Sequence, residues 1–197
     1  MGTSEGNFNR WLLSIIYDKP ALWKIRRQLL QQVSGNILEI GFGNGRNLSL
    51  YPESVNEITA LDLHGKTVSD HRIRVNFYQD SAELMPFPDA SFDTVITTFT
   101  LCSIADTAKV FSEIRRVLKP GGKYLFLEHG EADNAVGLQL QHLINPVYQH
   151  FSKGCSLMRV NTALMLSSGF TMQSYLAFRG PVFPRIIGGY LFIGVGI

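Results

Sequence analysis

The chain predicts an α/β fold, a mainly parallel sheet with helices on both faces, and three observations predict it. Apolar runs of strand length alternate with segments of helical period along the chain, which is the pattern of a sheet buried on both sides. One run, Asn36 to Ile40, leads straight into three alternate glycines, Gly41, Gly43 and Gly45. A strand opening through such a turn into a helix is how open α/β sheets present main-chain N–H groups to a ligand. The length of 197 residues suits a single domain with one sizeable core.

The elements follow in order. Residues 8–33 read as one or two helices broken near Lys19-Pro20, with Trp11, Leu12, Ile15, Ile16, Trp23 and Leu30 as apolar faces. Strands are expected at 36–40, 57–62, 75–79, 94–98, 123–128, 171–178 and 190–195. Between the fourth and fifth, residues 105–118 place Val110, Phe111, Ile114, Val117 and Leu118 at helical spacing and stop at Lys119-Pro120-Gly121-Gly122, a strong terminator. Residues 64–71 make a short, poor helix that would cover one edge of the ligand thinly. Leu138, Leu140, Leu143, Ile144, Val147 and Phe151 give the segment 131–169 an apolar helix face, as expected of a lid. One domain results: helical cover 1–34, core 35–130, lid 131–169 and terminal strands 170–197.

Composition excludes several classes. A net charge of +2 from 18 basic and 16 acidic residues gives no strong field, and no basic block suggests a nucleic-acid partner. Cys102 and Cys155 are too few and too distant in sequence to suggest a disulfide framework or a zinc site, so no metal is expected. No apolar run reaches membrane-spanning length and no signal peptide is evident. The expectation is a cytoplasmic protein, monomeric or weakly dimeric, with peripheral lipid contact left open for the helix around Trp11.

Two details select the ligand. A dinucleotide fingerprint needs a third glycine at position 46, where Arg46 stands. Glu39, two residues before Gly41, would repel a pyrophosphate and suit a cationic headgroup. Asp62, ending the next apolar run, can accept both hydrogen bonds of a ribose diol. A ribose, an ammonium group and no phosphate point to S-adenosylmethionine.

These motifs, with Asp80-Ser81-Ala82-Glu83-Leu84-Met85-Pro86-Phe87-Pro88 and Leu118-Lys119-Pro120-Gly121-Gly122-Lys123, resemble those of class I S-adenosylmethionine-dependent methyltransferases, in order, over residues 33–130. The methyltransferase type 11 group, which includes quinone-ring methyltransferases, is the nearest pattern. The resemblance implies a strand order of 3-2-1-4-5-7-6 with the seventh antiparallel. It also implies roles: Gly41, Gly43 and Gly45 around the methionine moiety, Glu39 near its ammonium, Asp62 on the ribose, Asp80 on the adenine amino group. Leu63 and Ser81 would flank the adenine, and Thr98 completes the cofactor set.

The acceptor should enter over the ends of the fourth and fifth strands, where Thr98 to Ser103 and Leu127 to Gly130 fall. His129 is the leading candidate for a base or acceptor-orienting group; its other reading is a histidine bonded to a loop carbonyl. Glu128 is adjacent, but neighbours on a strand face opposite ways. If its segment is helical, Cys155 shares a face with Arg159, which then pins the lid, faces the acceptor or forms a structural ion pair. Cys102 reads as packing, with no activating base beside it in sequence.

The segments Leu138 to Tyr148 and Gly154 to Arg159 resemble the small alkyl-thiol methyltransferase branch. The expected function is methyl transfer to a small apolar acceptor at sulfur, nitrogen or oxygen. Alternatives are a quinone-ring C-methyltransferase, a lipid-headgroup N-methyltransferase and a non-catalytic S-adenosylmethionine-binding module.

Overall fold

In the computed structural model, residues 20–65, 68, 72–152, 154–160, 162–180 and 190–197 are described. The expected helix around Trp11, the segment 66–71 apart from Val68, and any lipid contact of the N-terminus lie outside them.

Seven strands form one sheet in the order β3-β2-β1-β4-β5-β7-β6. They are β1 (Ile37–Ile40), β2 (Glu57–Leu61), β3 (Arg74–Tyr78), β4 (Phe92–Thr98), β5 (Leu118–His129), β6 (Met172–Arg179) and β7 (Tyr190–Gly196). β1 to β5 run parallel, while β7 is antiparallel to both its neighbours. Because β2 and β4 flank β1 on opposite sides, their connections leave in opposite directions and open a crevice at the carboxyl end of β1. That is where the glycine bend lies.

Alternation along the strands divides the core. Leu125 and Leu127 face α1 (Pro20–Leu30), whose Leu22, Leu29 and Leu30 are buried in the same cluster. Tyr124 and Phe126 face α2 (Thr107–Val117), packed with Val110, Phe111, Ile114 and Val117. Glu39 points to the α1 side, between its apolar strand neighbours Leu38 and Ile40 on the other face. The remaining helices are α3 (Ala135–Phe151) and α4 (Thr162–Ser167).

Helix starts follow their caps: Asp106 accepts from Lys109 N, and Asn134 accepts from Gly137 N. Two expectations change. The glycine bend leads into a single 3₁₀ turn, Leu48–Leu50, and not a full helix, since Tyr51 turns extended and Pro52 follows. The Lys119–Gly122 terminator does end α2 at Val117, but β5 starts at once: Leu118 pairs with Phe92, and a register shift absorbs the following residues before Lys123 meets Thr94.

Candidate active site

The glycine bend is shaped by two different needs. Gly41 has φ +76°, and a Cβ there would lie 2.0 Å from Thr100 Oγ1, so the next loop has closed against bare backbone. Gly43 has φ +58°, and a Cβ there would meet only Gly41 O at 4.0 Å, because the position faces the crevice. Gly45 differs from its expected role. Its N–H closes a turn on Phe42 O at 3.0 Å, Leu48 packs beside it, and it borders neither cavity of the crevice.

Two carboxylates converge on this bend. Asp62 accepts from Gly43 N at 2.7 Å through Oδ2, and from the amides of His64 and Gly65 through Oδ1. It therefore ties the bend to the loop after β2 and keeps acceptor capacity on Oδ2. Glu39 is buried and accepts from Tyr51 Oη at 2.6 Å and Asn47 Nδ2 at 3.0 Å. Burial pushes its carboxyl up to about 7, against the opposing pull of those two donors and of Arg26. Tyr51, beside it, is held well above the ordinary phenol range by burial and by the Glu39 charge.

Asn47 Nδ2 also donates to Thr98 Oγ1 at 3.0 Å. These two acceptors fix the amide orientation and leave Asn47 Oδ1 buried with no hydrogen-bond partner. That oxygen and Glu39 belong to residues bordering the same cavity.

The crevice has two parts. A cavity of about 310 Å³ is bordered by Glu39, Asn47, Thr98, Phe99, Ser152 and Cys155 among other residues. A cavity of about 510 Å³ is bordered by Asp62, Leu63, Asp80, Ser81, Ile104 and other residues. Gly41, Gly43 and Phe99 border both. Glu39, Gly41, Gly43, Asp62, Leu63, Asp80, Ser81 and Thr98 are thus all brought to the crevice as the sequence predicts. Asp80 is exposed and accepts from Ser81 N at 2.7 Å.

Phe99 stands out. It is one of two non-glycine residues with positive φ among the described ones, at +54°, a conformation that costs about 1–3 kcal/mol and gathers at functional sites. Arg26, buried on α1, lies over its ring at 5.1 Å.

His129 is placed differently from the expectation. It is 1% exposed and borders none of the described cavities. Its ring meets the edge of Phe99 at 5.8 Å, and its Nε2 lies 3.5 Å from Cys155 Sγ and 3.4 Å from Tyr148 Oη. Both Phe99 and Cys155 border the cavity that His129 does not reach. Glu128 turns away, accepting from Thr100 N at 2.8 Å, and burial pushes its carboxyl up to about 7.

Cys102 is packed in the core as its sequence reading has it, but it meets the second cysteine there. Cys102 and Cys155, 53 positions apart, approach to 2.8 Å between sulfurs, and His129 joins them. Arg159 is in an irregular segment, so the helical-face pairing with Cys155 does not arise. Its Nη1 donates to Cys102 O at 3.1 Å and Ile104 O at 2.6 Å, which pins the segment after α3 to the loop after β4. Among the described residues those carbonyls, and no carboxylate, are its partners.

Sequence reasoning missed Arg26, Asn47, Tyr51, Phe99 and the Cys–His meeting. For Asn47 and Tyr51 the sequence offers only their place just past the glycines, on either side of Leu48 and Leu50.

Residues 38–126 match the methyltransferase domain family. A thiol S-methyltransferase TMT1B of Rattus norvegicus is 30% identical over 156 residues, which is 68% of this chain and 62% of that protein. The chain therefore spans less than two thirds of that relative's length. A phosphatidylethanolamine N-methyltransferase of Cereibacter sphaeroides is 31% identical over 64% of this chain and 68% of that protein. The crystal structure of an S-adenosylmethionine-dependent methyltransferase from Mesorhizobium loti superposes with a TM-score of 0.64 at 19% identity, covering 92% of this chain and all of that one. The chain belongs to the class I S-adenosylmethionine-dependent methyltransferases.

The residues present fit that cofactor. The unsatisfied Asn47 Oδ1 beside the Glu39 carboxylate offers two acceptors to an ammonium group, and the spare lone pair of Asp62 Oδ2 offers one to a sugar hydroxyl. Gly43 leaves its side of the bend clear. Two carboxylates at one bend favour a cation over a phosphate. Among the described residues no helix is long and apolar enough to cross a membrane.

Proposed function

We propose that the chain transfers the methyl group of S-adenosylmethionine to a small apolar thiol. The observation that carries this reading is the lining of the 310 Å³ cavity, in which Phe99, Ser103, Ser152 and Cys155 take part and Glu39, assigned to the cofactor, is its one carboxylate among the described residues. An ordinary thiol, with a pKa of ~8.5, ionises near neutral pH without a strong base. An alcohol does not, and a protonated amine needs its proton removed. Similarity to the thiol S-methyltransferases supports the same choice.

The bound cofactor supplies an activated methyl group on a positively charged sulfur. Glu39 and Asn47 would hold its amino group, and Asp62, which braces the bend through Gly43 N, would fix its sugar. Phe99, at positive φ, borders both cavities. Positioning of this kind supplies roughly 7–11 kcal/mol of barrier lowering when reactants are held at near-attack distance. His129 takes no proton from the acceptor here, since it does not border the cavity.

The test is incubation of the purified chain with labelled S-adenosylmethionine and separate panels of alkyl thiols, amines, quinols and phospholipids. Thioether products from the thiol panel are expected. Labelled amine, quinol or lipid products with no thioether would refute the acceptor assignment. Tight cofactor binding with no product in any panel would support a binding module.

A further inference from the structure

A second site sits behind the cavity wall. Cys102 belongs to the 3₁₀ turn Leu101–Ser103 after β4, His129 ends β5, and Cys155 follows α3. Their donor atoms all lie within 4.8 Å of one another, and each residue is buried. We propose that these three side chains bind one thiophilic d¹⁰ cation of the zinc class. The proposal does not depend on which acceptor is methylated.

Donor type and spacing select this ion. Two sulfurs and an imidazole suit a borderline-soft cation and not magnesium or calcium, which take oxygen. Around a tetrahedral zinc, with Zn–S about 2.3 Å and Zn–N about 2.0 Å, neighbouring donors lie about 3.5–3.8 Å apart. The Cys155 Sγ to His129 Nε2 separation is already 3.5 Å. The sulfur pair at 2.8 Å must open by about 1 Å on loading, from the same bond lengths.

Charge balance favours burial. Each thiol loses its proton to solvent as its sulfur binds, so two thiolates and a neutral imidazole cancel a double positive charge. Two neutral groups face the cluster, Tyr148 Oη at 3.4 Å from His129 Nε2 and Ser103 Oγ at 3.8 Å from Cys102 Sγ, and the Arg159 guanidinium lies against the Cys102 carbonyl. Glu128, the nearest carboxylate in sequence, is engaged by Thr100 N.

The frame is braced independently of the ion. Ser156 N donates to Cys102 O at 2.8 Å, and Arg159 reaches the same carbonyl. Three protein ligands leave one position of a tetrahedral ion for a further donor. Of the three, Cys155 borders the cofactor cavity. A bound ion would therefore fasten the segment after α3 to the ends of β4 and β5.

The reduced full-length chain, stripped with chelator, is incubated with Zn(II), gel-filtered and analysed for metal; Co(II) loading is followed by absorption. One zinc per chain, thiolate-to-cobalt charge-transfer bands, and a thermal midpoint raised by zinc are expected. Cys102→Ser and Cys155→Ser should each weaken zinc binding at least tenfold. No stoichiometric zinc on the reduced protein, or full retention in the double Cys→Ser variant, would overturn the site. If the variants fold poorly by circular dichroism, the wild-type cobalt spectrum decides, and bound cobalt without thiolate bands also overturns it.

Discussion

Glu39→Gln should make the cofactor-free protein more stable and its cofactor binding weaker. The Glu39 carboxyl ionises at about 7 in the fold against an ordinary value of 4.5. At about 1.4 kcal/mol per tenfold change in proton affinity, holding the ionised form costs about 3 kcal/mol. The sign follows from proton counting. Below pH 4.5 the group is protonated in both folded and unfolded chains and costs nothing.

Between 4.5 and about 7 the unfolded chain ionises while the folded one keeps its proton, so stability falls as pH rises. Above about 7 the full cost applies. Glutamine is neutral throughout, and its amide can still meet Asn47 and Tyr51. Urea unfolding should show the variant more stable by up to about 3 kcal/mol at pH 8 and unchanged at pH 4. Cofactor affinity, by calorimetry at pH 8, should drop about ten- to a hundredfold, the worth of one charge-assisted hydrogen bond at ~1.5–3 kcal/mol. A variant less stable at pH 8, or one binding the cofactor as tightly as wild type, would refute the assignment of Glu39 as a strained carboxylate kept for a cationic partner.

Asp62→Ala removes a ribose acceptor and the brace on Gly43, His64 and Gly65, so calorimetry should show affinity for S-adenosylmethionine at least tenfold weaker, about 1.4 kcal/mol; unchanged affinity would exclude that role. Gly41→Ala forces a Cβ onto Thr100 at positive φ, and thermal unfolding should show a destabilisation of over about 1 kcal/mol. Gly43→Ala meets open space at its own positive φ; it should lose cofactor affinity by a larger factor than its smaller loss of thermal stability, and the reverse pattern would place Gly43 in the frame and not at the ligand.

The strands, the glycine bend and the two acids were legible in the sequence because each is a local pattern, whereas the order of the sheet followed from the family resemblance. Strand period, a turn needing glycine and a carboxylate at a strand end all lie within a few residues of one another. The helix after the bend was misjudged because the stop comes from Tyr51 and Pro52, beyond the motif. The placement of His129 was misjudged for another reason. A strand-end position indicates height in the crevice, while depth depends on what packs over it, and here Cys155 and Phe99 do.

By itself, the sequence determined an α/β chain that binds a cationic, sugar-bearing cofactor where β1 meets its glycines. Only the tertiary structure decided that Asn47 and Tyr51 clamp Glu39 and that Arg159 holds backbone carbonyls. It alone brought Cys102, His129 and Cys155 to one point. Those meetings join segments up to 57 positions apart. The Arg159 and cysteine–histidine meetings are set by how the segment after α3 folds back over the strand ends, a path that no short-range spacing encodes.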